Sequence, residues 1–503
     1  METQGKVWLV GAGPGDLGLL TLKGKAVLDA AQVVVYDALV GPEVLALVPE
    51  TAERINVGKR ASHHTRTQEE INQILLEKAQ EGKRVVRLKG GDPFLFGRGG
   101  EELELLSDAG IPYEVVPGVT SAIAVPAYNG IPVTHRNECS SVHIITGHKK
   151  KDQPLDMDFE ALVRLGGTLV FLMGVTALPE ICQGLLSAGM PADTPAAVLE
   201  KGTTAEQRRI TASLAELPEE ARRQKAQAPA ILVVGGVCRY SDRFGWAERR
   251  PLAGCRAIVT RPRESASVLA EKLRKKGAQV LEIPAIATRL LTETKHWEAA
   301  MAQLERYSWL AFTSPAGVRH FFDRLRQERR DIRLLAGKKV AALGSGTARE
   351  LENRGILVDA VPEVYDGAAL GRLLAEICEP GASILLPRAA VGGTEILEEI
   401  RSRQDLSVTD LAIYETVYPE PGILNIREEL EQHPETLVLF TSASTVRGFA
   451  ENAPGLDFHR VRALCIGKQT QAQAEALGMQ TQVSQRATMD SLVELAEQVN
   501  RQK

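Results

Sequence analysis

Short runs of valine, isoleucine and leucine recur along this chain, each followed by a longer amphipathic stretch, and that rhythm limits what the chain can fold into. Val7–Val10, Val33–Tyr36, Arg84–Leu88 and Glu114–Val116 read as strands, with helices over 68–80 and 99–109. A second series starts near Cys139 and includes Val142–Ile145, Thr168–Phe171 and Ala230–Val234. Strands alternating with helices predict an α/β fold with mostly parallel strands. At ~150 residues per domain, 503 residues imply several compact units.

Charge narrows the function classes. The chain has 60 Lys and Arg against 64 Asp and Glu, a net charge of −4. No global basic excess exists to bind nucleic acid or an anionic membrane, so neither is expected as a partner. Local basic clusters can still hold a small polyanion. The six cysteines are scattered with no C-x-x-C pair, which fits reduced thiols in a cytoplasmic protein and no zinc site. The first residues lack a signal-peptide layout. The longest uncharged apolar stretch, Leu165–Pro179, is 15 residues with three glycines, short of the roughly 18 that a membrane span needs.

Residues 240–253 are polar and without a clean period, and the α/β rhythm restarts after them at Ala257–Thr260. Beyond that point the chain repeats itself. Phe312-Thr313-Ser314 recurs 128 residues later as Phe440-Thr441-Ser442, and Leu343-Gly344 recurs as Ile466-Gly467. A period this long means two similar α/β domains, not a solenoid. In each copy a strand ends in Thr-Ser at the mouth of a helix, where hydroxyls and free amides can hold an anion.

Two glycine-rich segments carry chemistry. Gly13-x-Gly15-x-x-Gly18 follows the first strand and fits a dinucleotide fingerprint, with Asp37 where a ribose-binding acid would stand. Such a fingerprint alone is a weak signal, a tight strand-to-helix turn is the plainer reading, and Pro14 removes one amide from the loop. Arg87 through Glu102, containing Lys89-Gly90-Gly91-Asp92-Pro93-Phe94-Leu95-Phe96-Gly97-Arg98, is a block that nicotinamide binding does not call for. Its glycines allow close approach of backbone to a ligand. Pro117-Gly118-Val119-Thr120-Ser121 follows the next strand, and Pro132-Val133-Thr134-His135-Arg136 closes the lobe.

Together these blocks resemble uroporphyrinogen-III C-methyltransferase, an S-adenosylmethionine enzyme of the tetrapyrrole methylase group, over residues 5 to about 240. Tyr36-Asp37-Ala38-Leu39-Val40, Val57-Gly58-Lys59-Arg60, Thr146-Gly147-His148, Phe171-Leu172-Met173-Gly174 and Lys201-Gly202-Thr203 add to the likeness. One departure is Phe171-Leu172-Met173, where a Tyr before the Met is common. The resemblance implies two lobes, 1–137 and 138–246, with the methyl donor between them. It implies Pro14, Gly90, Gly91, Asp92, Leu95, Thr120, Ser121, Met173 and Gly202 as donor-binding residues, Asp37 as proton acceptor and Lys59 as proton donor. It also implies a homodimer formed through this half. The substrate would be an octacarboxylate, for which Arg60, Arg98 and Arg136 are candidate partners. His63-His64 has no partner spacing for a metal, and methyl transfer requires none. Taken without the family, Met173 reads as core and Asp37 as a cap.

After a linker at 247–252, residues 253–503 resemble uroporphyrinogen-III synthase. The likeness rests on Val259-Thr260-Arg261-Pro262, Phe312-Thr313-Ser314, Leu343-Gly344-Ser345-Gly346-Thr347, Tyr414-Glu415-Thr416, Phe440-Thr441-Ser442 and Ile466-Gly467-Lys468. It implies one domain of 253–288 plus 417–503 and another of 289–416, closing linear hydroxymethylbilane into uroporphyrinogen III with inversion of ring D. Tyr414 matches the family's tyrosine, although a packed strand-end Tyr reads as well. Thr313, Ser314, Thr347, Thr441 and Ser442 are candidate carboxylate binders, and Arg261, Arg263 and Arg388 candidate clamps. The expected whole is a bifunctional cytoplasmic enzyme that makes uroporphyrinogen III and methylates it twice to precorrin-2. The rival readings are a methyltransferase with a non-catalytic tetrapyrrole-binding module and a nicotinamide oxidoreductase.

Overall fold

The structure is a computed structural model that describes residues 5–58, 66–147, 155–260, 263–293, 295–418 and 424–502. Its first sheet is built from β1 (Lys6–Gly11), β2 (Val33–Tyr36), β3 (Glu53–Asn56), β4 (Arg84–Lys89) and β5 (Tyr113–Val116). They lie in the order β3-β2-β4-β1-β5, all parallel. Val7, Leu9 and Val10 of β1 and Val85, Val86 and Leu88 of β4 are buried, as a parallel sheet covered on both faces requires. The helix Gln68–Gln80 shows how local signals set the covering layer. A capping box between Thr67 and Glu70 starts it, and Ile71, Leu75 and Ala79 form its buried stripe. β1 and β4 are adjacent, so the loops that follow them lie side by side at the carboxyl edge of the sheet.

The second sheet comprises β6 (Val142–Thr146), β7 (Thr168–Leu172), β8 (Pro195–Glu200), β9 (Arg208–Ser213) and β10 (Ala230–Val234). Its order is β6-β7-β10-β8-β9. Only β6 and β7 are parallel; the other neighbours are antiparallel. This corrects the expectation of mostly parallel strands for this lobe. Strand direction follows from crossovers, and β8 and β9 join through a short turn that leaves no room for one.

The stretch 240–253 has structure of its own. A short helix, Ser241–Phe244, leads into Trp246, whose Nε1 donates to the Ala127 carbonyl at 3.0 Å. The Arg250 guanidinium lies over the Trp246 ring, and Leu252 is fully buried. Its polar residues are used in pairs: Arg209 reaches both Asp242 and Glu248.

The chain next lays β11 (Arg256–Val259) and β12 (Gln279–Glu282). It continues with β13 (Ala287–Leu290), β14 (Trp309–Phe312), β15 (Lys339–Ala342), β16 (Ser383–Ala389) and β17 (Ser407–Val417). It ends with β18 (Leu437–Phe440), β19 (Arg462–Cys465) and β20 (Gln480–Val483). β12-β11-β18-β19-β20 form one parallel sheet, so the chain leaves this domain and returns to it. β13-β17-β16-β14-β15 form another, parallel except for β13. Two compact units result. Met1–Ala285 with Glu420–Lys503 make one and Ile286–Pro419 the other.

Candidate active sites

The first site is made of strand-end loops that touch one another. Gly13 and Gly91, after β1 and β4, exchange backbone hydrogen bonds at 3.2 and 2.8 Å. A Cβ on Gly118, after β5, would sit 2.2 Å from the Gly91 carbonyl oxygen, so these three loops require glycine there. Asp92 locks the arrangement. Its Oδ1 accepts from the Phe94 and Leu95 amides, and its Oδ2 from the Gly118 amide at 3.0 Å. Thr120 caps the helix Ser121–Tyr128, so Ser121 is its first residue.

The second lobe meets these loops. Gly202 packs on that helix so tightly that a Cβ would lie 2.3 Å from Val125 Cγ1. Its neighbours Lys201 and Thr203 have φ of 43° and 68°, a left-handed conformation that costs roughly 1–2 kcal/mol per residue. Thr203 Oγ1 accepts from the Asp16 amide, and Tyr128 donates its hydroxyl to Asp16 at 2.8 Å. Met173, at the end of β7, also has positive φ, 57°, and is 50% exposed. That corrects its reading as core. Leu95 packs against the core of the second lobe, alongside Val125 and Leu172. Pro14, Gly90, Gly91, Asp92, Thr120, Ser121 and Gly202 thus lie in interlocked loops, with exposed Met173 ending a strand of the second lobe. Strained backbone of this kind persists only where its surroundings over-determine it, and it gathers at ligand sites.

Asp37 ends β2. Its Oδ1 accepts from the Leu39 amide at 3.1 Å, and its Oδ2 stands 3.5 Å from Arg87 Nη2. Arg87 Nε donates to Glu102 Oε1 at 3.1 Å, and Lys89 Nζ donates to the same oxygen at 2.7 Å. Arg87, Lys89 and Glu102 are all buried, and burial together with the Arg87 charge lowers the Lys89 pKa. This network was not anticipated from sequence. The signal was available: two charges inside a strand whose other central positions are apolar. A second group also escaped notice, the exposed apolar side chains Leu39, Phe94 and Phe96 on the Asp37 and Asp92 loops. An apolar fringe beside a carboxylate suits a ligand with an apolar body and charged edges.

Among the candidate cations, Arg98 is exposed and forks onto Glu101, and Arg136 is exposed in a turn. Lys59, Arg60, His63, His64 and Arg261 lie outside the described residues, as does the side chain of Arg263.

In the second half the repeated motifs have matching geometry. Ser314 caps the helix Pro315–Gln327 and Ser442 caps Ala443–Glu451, each with extended backbone. Gly344 and Gly467 stand at the same position before Ser345–Glu352 and Lys468–Glu475. Thr313 and Thr441 are half-buried beside the caps, whereas Thr347 is buried inside its helix. The Tyr414 hydroxyl lies 2.9 Å from Ser314 Oγ, and its ring stacks on His320. Burial raises the Tyr414 pKa, keeping it a phenol. Arg388 has its fork on both Asp410 oxygens, at 2.7 and 2.8 Å, so it is held inside the protein rather than free as a clamp.

Comparison with known proteins matches each half. The profile for Tetrapyrrole (Corrin/Porphyrin) Methylases covers residues 6–218, and that for Uroporphyrinogen-III synthase HemD covers 267–494. Porphyrin biosynthesis protein HemD of Ruminiclostridium josui is 43% identical over 97% of this chain and 97% of its own length. An S-adenosyl-L-methionine-dependent uroporphyrinogen III methyltransferase of Methanosarcina barkeri is 54% identical over 48% of this chain and 95% of its own. A solved uroporphyrin-III C-methyl transferase from Thermus thermophilus, complexed with S-adenosyl homocysteine, is 42% identical over 46% of this chain and 99% of its own, with a TM-score of 0.41.

Proposed function

Because this chain belongs to the tetrapyrrole methylase family over its first half and to the uroporphyrinogen-III synthase family over its second, we propose a division of roles among its residues. The chain is a fused enzyme of tetrapyrrole synthesis. Its second half closes hydroxymethylbilane to uroporphyrinogen III, and its first half methylates that product twice toward precorrin-2 with S-adenosylmethionine as donor.

The donor-site reading is carried by the interlocked loops around Gly91, Gly118 and Gly202. The open glycine edge at Gly91, where an added Cβ would meet only the Ser121 amide at 3.9 Å, fits close approach of a ligand to backbone. Pro14, Gly90, Gly91, Leu95, Thr120, Ser121, Met173 and Gly202 would hold the donor, with Asp92 fixing their loops. S-adenosylmethionine, when bound, supplies an electrophilic methyl group. The loops align an electron-rich pyrrole carbon with it and exclude water. Asp37 accepts the proton that the methylated ring then loses, and the Arg87–Glu102 network orients its carboxylate. Leu39, Phe94 and Phe96 face the macrocycle, Arg60, Arg98 and Arg136 pair with its carboxylates, and Lys59 is the proton donor that the resemblance implies.

In the second half, Thr313, Ser314, Thr441 and Ser442 bind substrate carboxylates at helix starts, and the resemblance adds Arg261 and Arg263 as further carboxylate partners. Tyr414, kept neutral by burial, donates a hydrogen bond to the departing hydroxyl. Domain limits at 246, 252, 288 and 416, homodimer assembly through the first half and a cytoplasmic location belong to the same proposal. Among the described residues no helix is long and apolar enough to cross a membrane.

Asp37→Asn tests the base. Methylation kcat should fall by about 10²- to 10⁴-fold while donor affinity and ring closure hold. Unchanged kcat would remove Asp37 from the mechanism.

A further inference from the structure

The turn that carries Gly202 is held from outside its own domain. Lys201 and Thr203 are both left-handed, so the turn relaxes unless clamped. Part of the clamp is local. The Lys201 amide donates to the Pro229 carbonyl, the Thr203 amide to Gln207 Oε1 at 2.8 Å, and Gln207 Nε2 to the Tyr128 carbonyl.

The rest comes from the synthase-family domain built on β11, β12 and β18. Gln279, buried at the start of β12, accepts the Ala205 amide on Oε1 at 3.2 Å. Arg256, buried at the start of β11, stands with Nη1 3.7 Å from Glu206 Oε1 and donates from Nη2 to Glu429 at 2.6 Å. His433 Nδ1 approaches the same Glu206 oxygen at 3.4 Å, while Lys201 pairs with the other. A cavity of about 140 Å³ runs along this seam, bordered by Asp16, Tyr128 and Thr203 on one side and Gly277 and Gln279 on the other.

We propose that Gln279 and Arg256 are positioning residues for methyl transfer: the synthase-family half holds the 201–206 turn in its donor-binding conformation. The inference rests on the reading that the Gly202 turn belongs to the donor site. The physics is ordinary. Glu206 meets Arg256 and His433 in a partly buried setting, and Gln279 fixes the amide just past the strained residues. Losing either contact lets the turn populate relaxed conformers, which lowers donor affinity by the fraction lost.

The test uses the full chain with Gln279→Met, which keeps side-chain length and removes the acceptor, and Glu206→Gln, which removes the charge that Arg256 faces. S-adenosylhomocysteine affinity is measured by calorimetry, alongside methylation kcat, donor KM and ring-closure rate. One lost hydrogen bond predicts an affinity loss of about threefold to tenfold, with KM rising in step. Saturated kcat and ring closure should hold, a KM-against-kcat split that general loosening would not give. Gln279→Glu restores the acceptor and should recover affinity. Wild-type affinity in both Gln279→Met and Glu206→Gln overturns the proposal, as does equal loss of methylation and ring closure. Gly202→Ala separates the two readings. If it too binds S-adenosylhomocysteine normally, the donor-site assignment fails; if it alone loses binding, the assignment stands and the cross-domain clamp fails. Should Gln279→Met not fold by circular dichroism, Glu206→Gln decides.

Discussion

The two halves of this chain shape the loops at the ends of their strands by different means. In the first half the backbone does it. Among the described residues seven non-glycine positions have positive φ, and six of them, Phe96, Arg98, Met173, Lys201, Thr203 and Lys225, stand in the first half. In the second half only Arg329, next to the end of a helix, is of this kind. There the strand ends run extended into helix caps, and Ser314, Ser442, Gly344 and Gly467 repeat one geometry in two domains. Strained, interlocked loops are over-determined by their surroundings and resist change. Regular caps place a hydroxyl and free amides at the start of each helix without strain.

Paired glycines give the largest contrast. Gly202→Ala forces a Cβ against Val125 and should lower S-adenosylhomocysteine affinity about fivefold or more, in line with the 1–3 kcal/mol cost of overpacking. Gly467→Ala meets nothing within 4 Å and keeps an extended φ, so its effect on stability should stay within about 0.5 kcal/mol. Equal effects from the two would erase the distinction between the halves.

The seam between the methylase-family and synthase-family parts of the larger unit gives a pH dependence. Glu43 is buried and accepts from Arg274 Nε and from the Val280 amide, with Glu282 on the far side of Arg274 and Asp16 facing it. Burial, outweighing the Arg274 charge, pushes its pKa up to about 7. Between the carboxylate's ordinary value and about 7 the folded state keeps a proton that the unfolded state has released. Its contribution is therefore full at low pH and lost as pH rises through 7, about 3 kcal/mol in all. Glu43→Gln should match the wild type in thermal unfolding at pH 5 and exceed it at pH 8. A variant less stable than wild type at pH 8 would mean that the Arg274 pair outweighs burial.

A cap gives a smaller effect than the buried carboxylate. Ser442→Ala removes the acceptor of the Thr445 amide and should cost about 0.5–2 kcal/mol, with loss of ring-closure efficiency if the hydroxyl also meets substrate. A stability change with unaltered KM for hydroxymethylbilane would confine Ser442 to structure.

These differences also decide what the sequence made visible. The glycine loops and the Thr-Ser strand ends were legible because their signals are local: a turn that needs positive φ, a hydroxyl before a helix. The α/β class and the long-period duplication followed from the same signals. The antiparallel pairing of β8, β9 and β10 was not legible, because period and composition leave strand direction open. Arg87, Lys89 and Glu102 escaped because their meaning lies in contacts between a strand and a helix 13 to 15 residues away. The exposure of Met173 escaped because an apolar residue ending an apolar run looks like core until its φ is known.

One experiment tests the central claim that a single chain performs both steps. Purified protein is incubated without oxygen with hydroxymethylbilane and S-adenosylmethionine, and the products are resolved by mass and isomer. The account predicts a doubly methylated type-III tetrapyrrole. Only the type-I macrocycle, methylated or not, would contradict it, because ring D inversion would then be absent and the second half would be a binding module without catalysis.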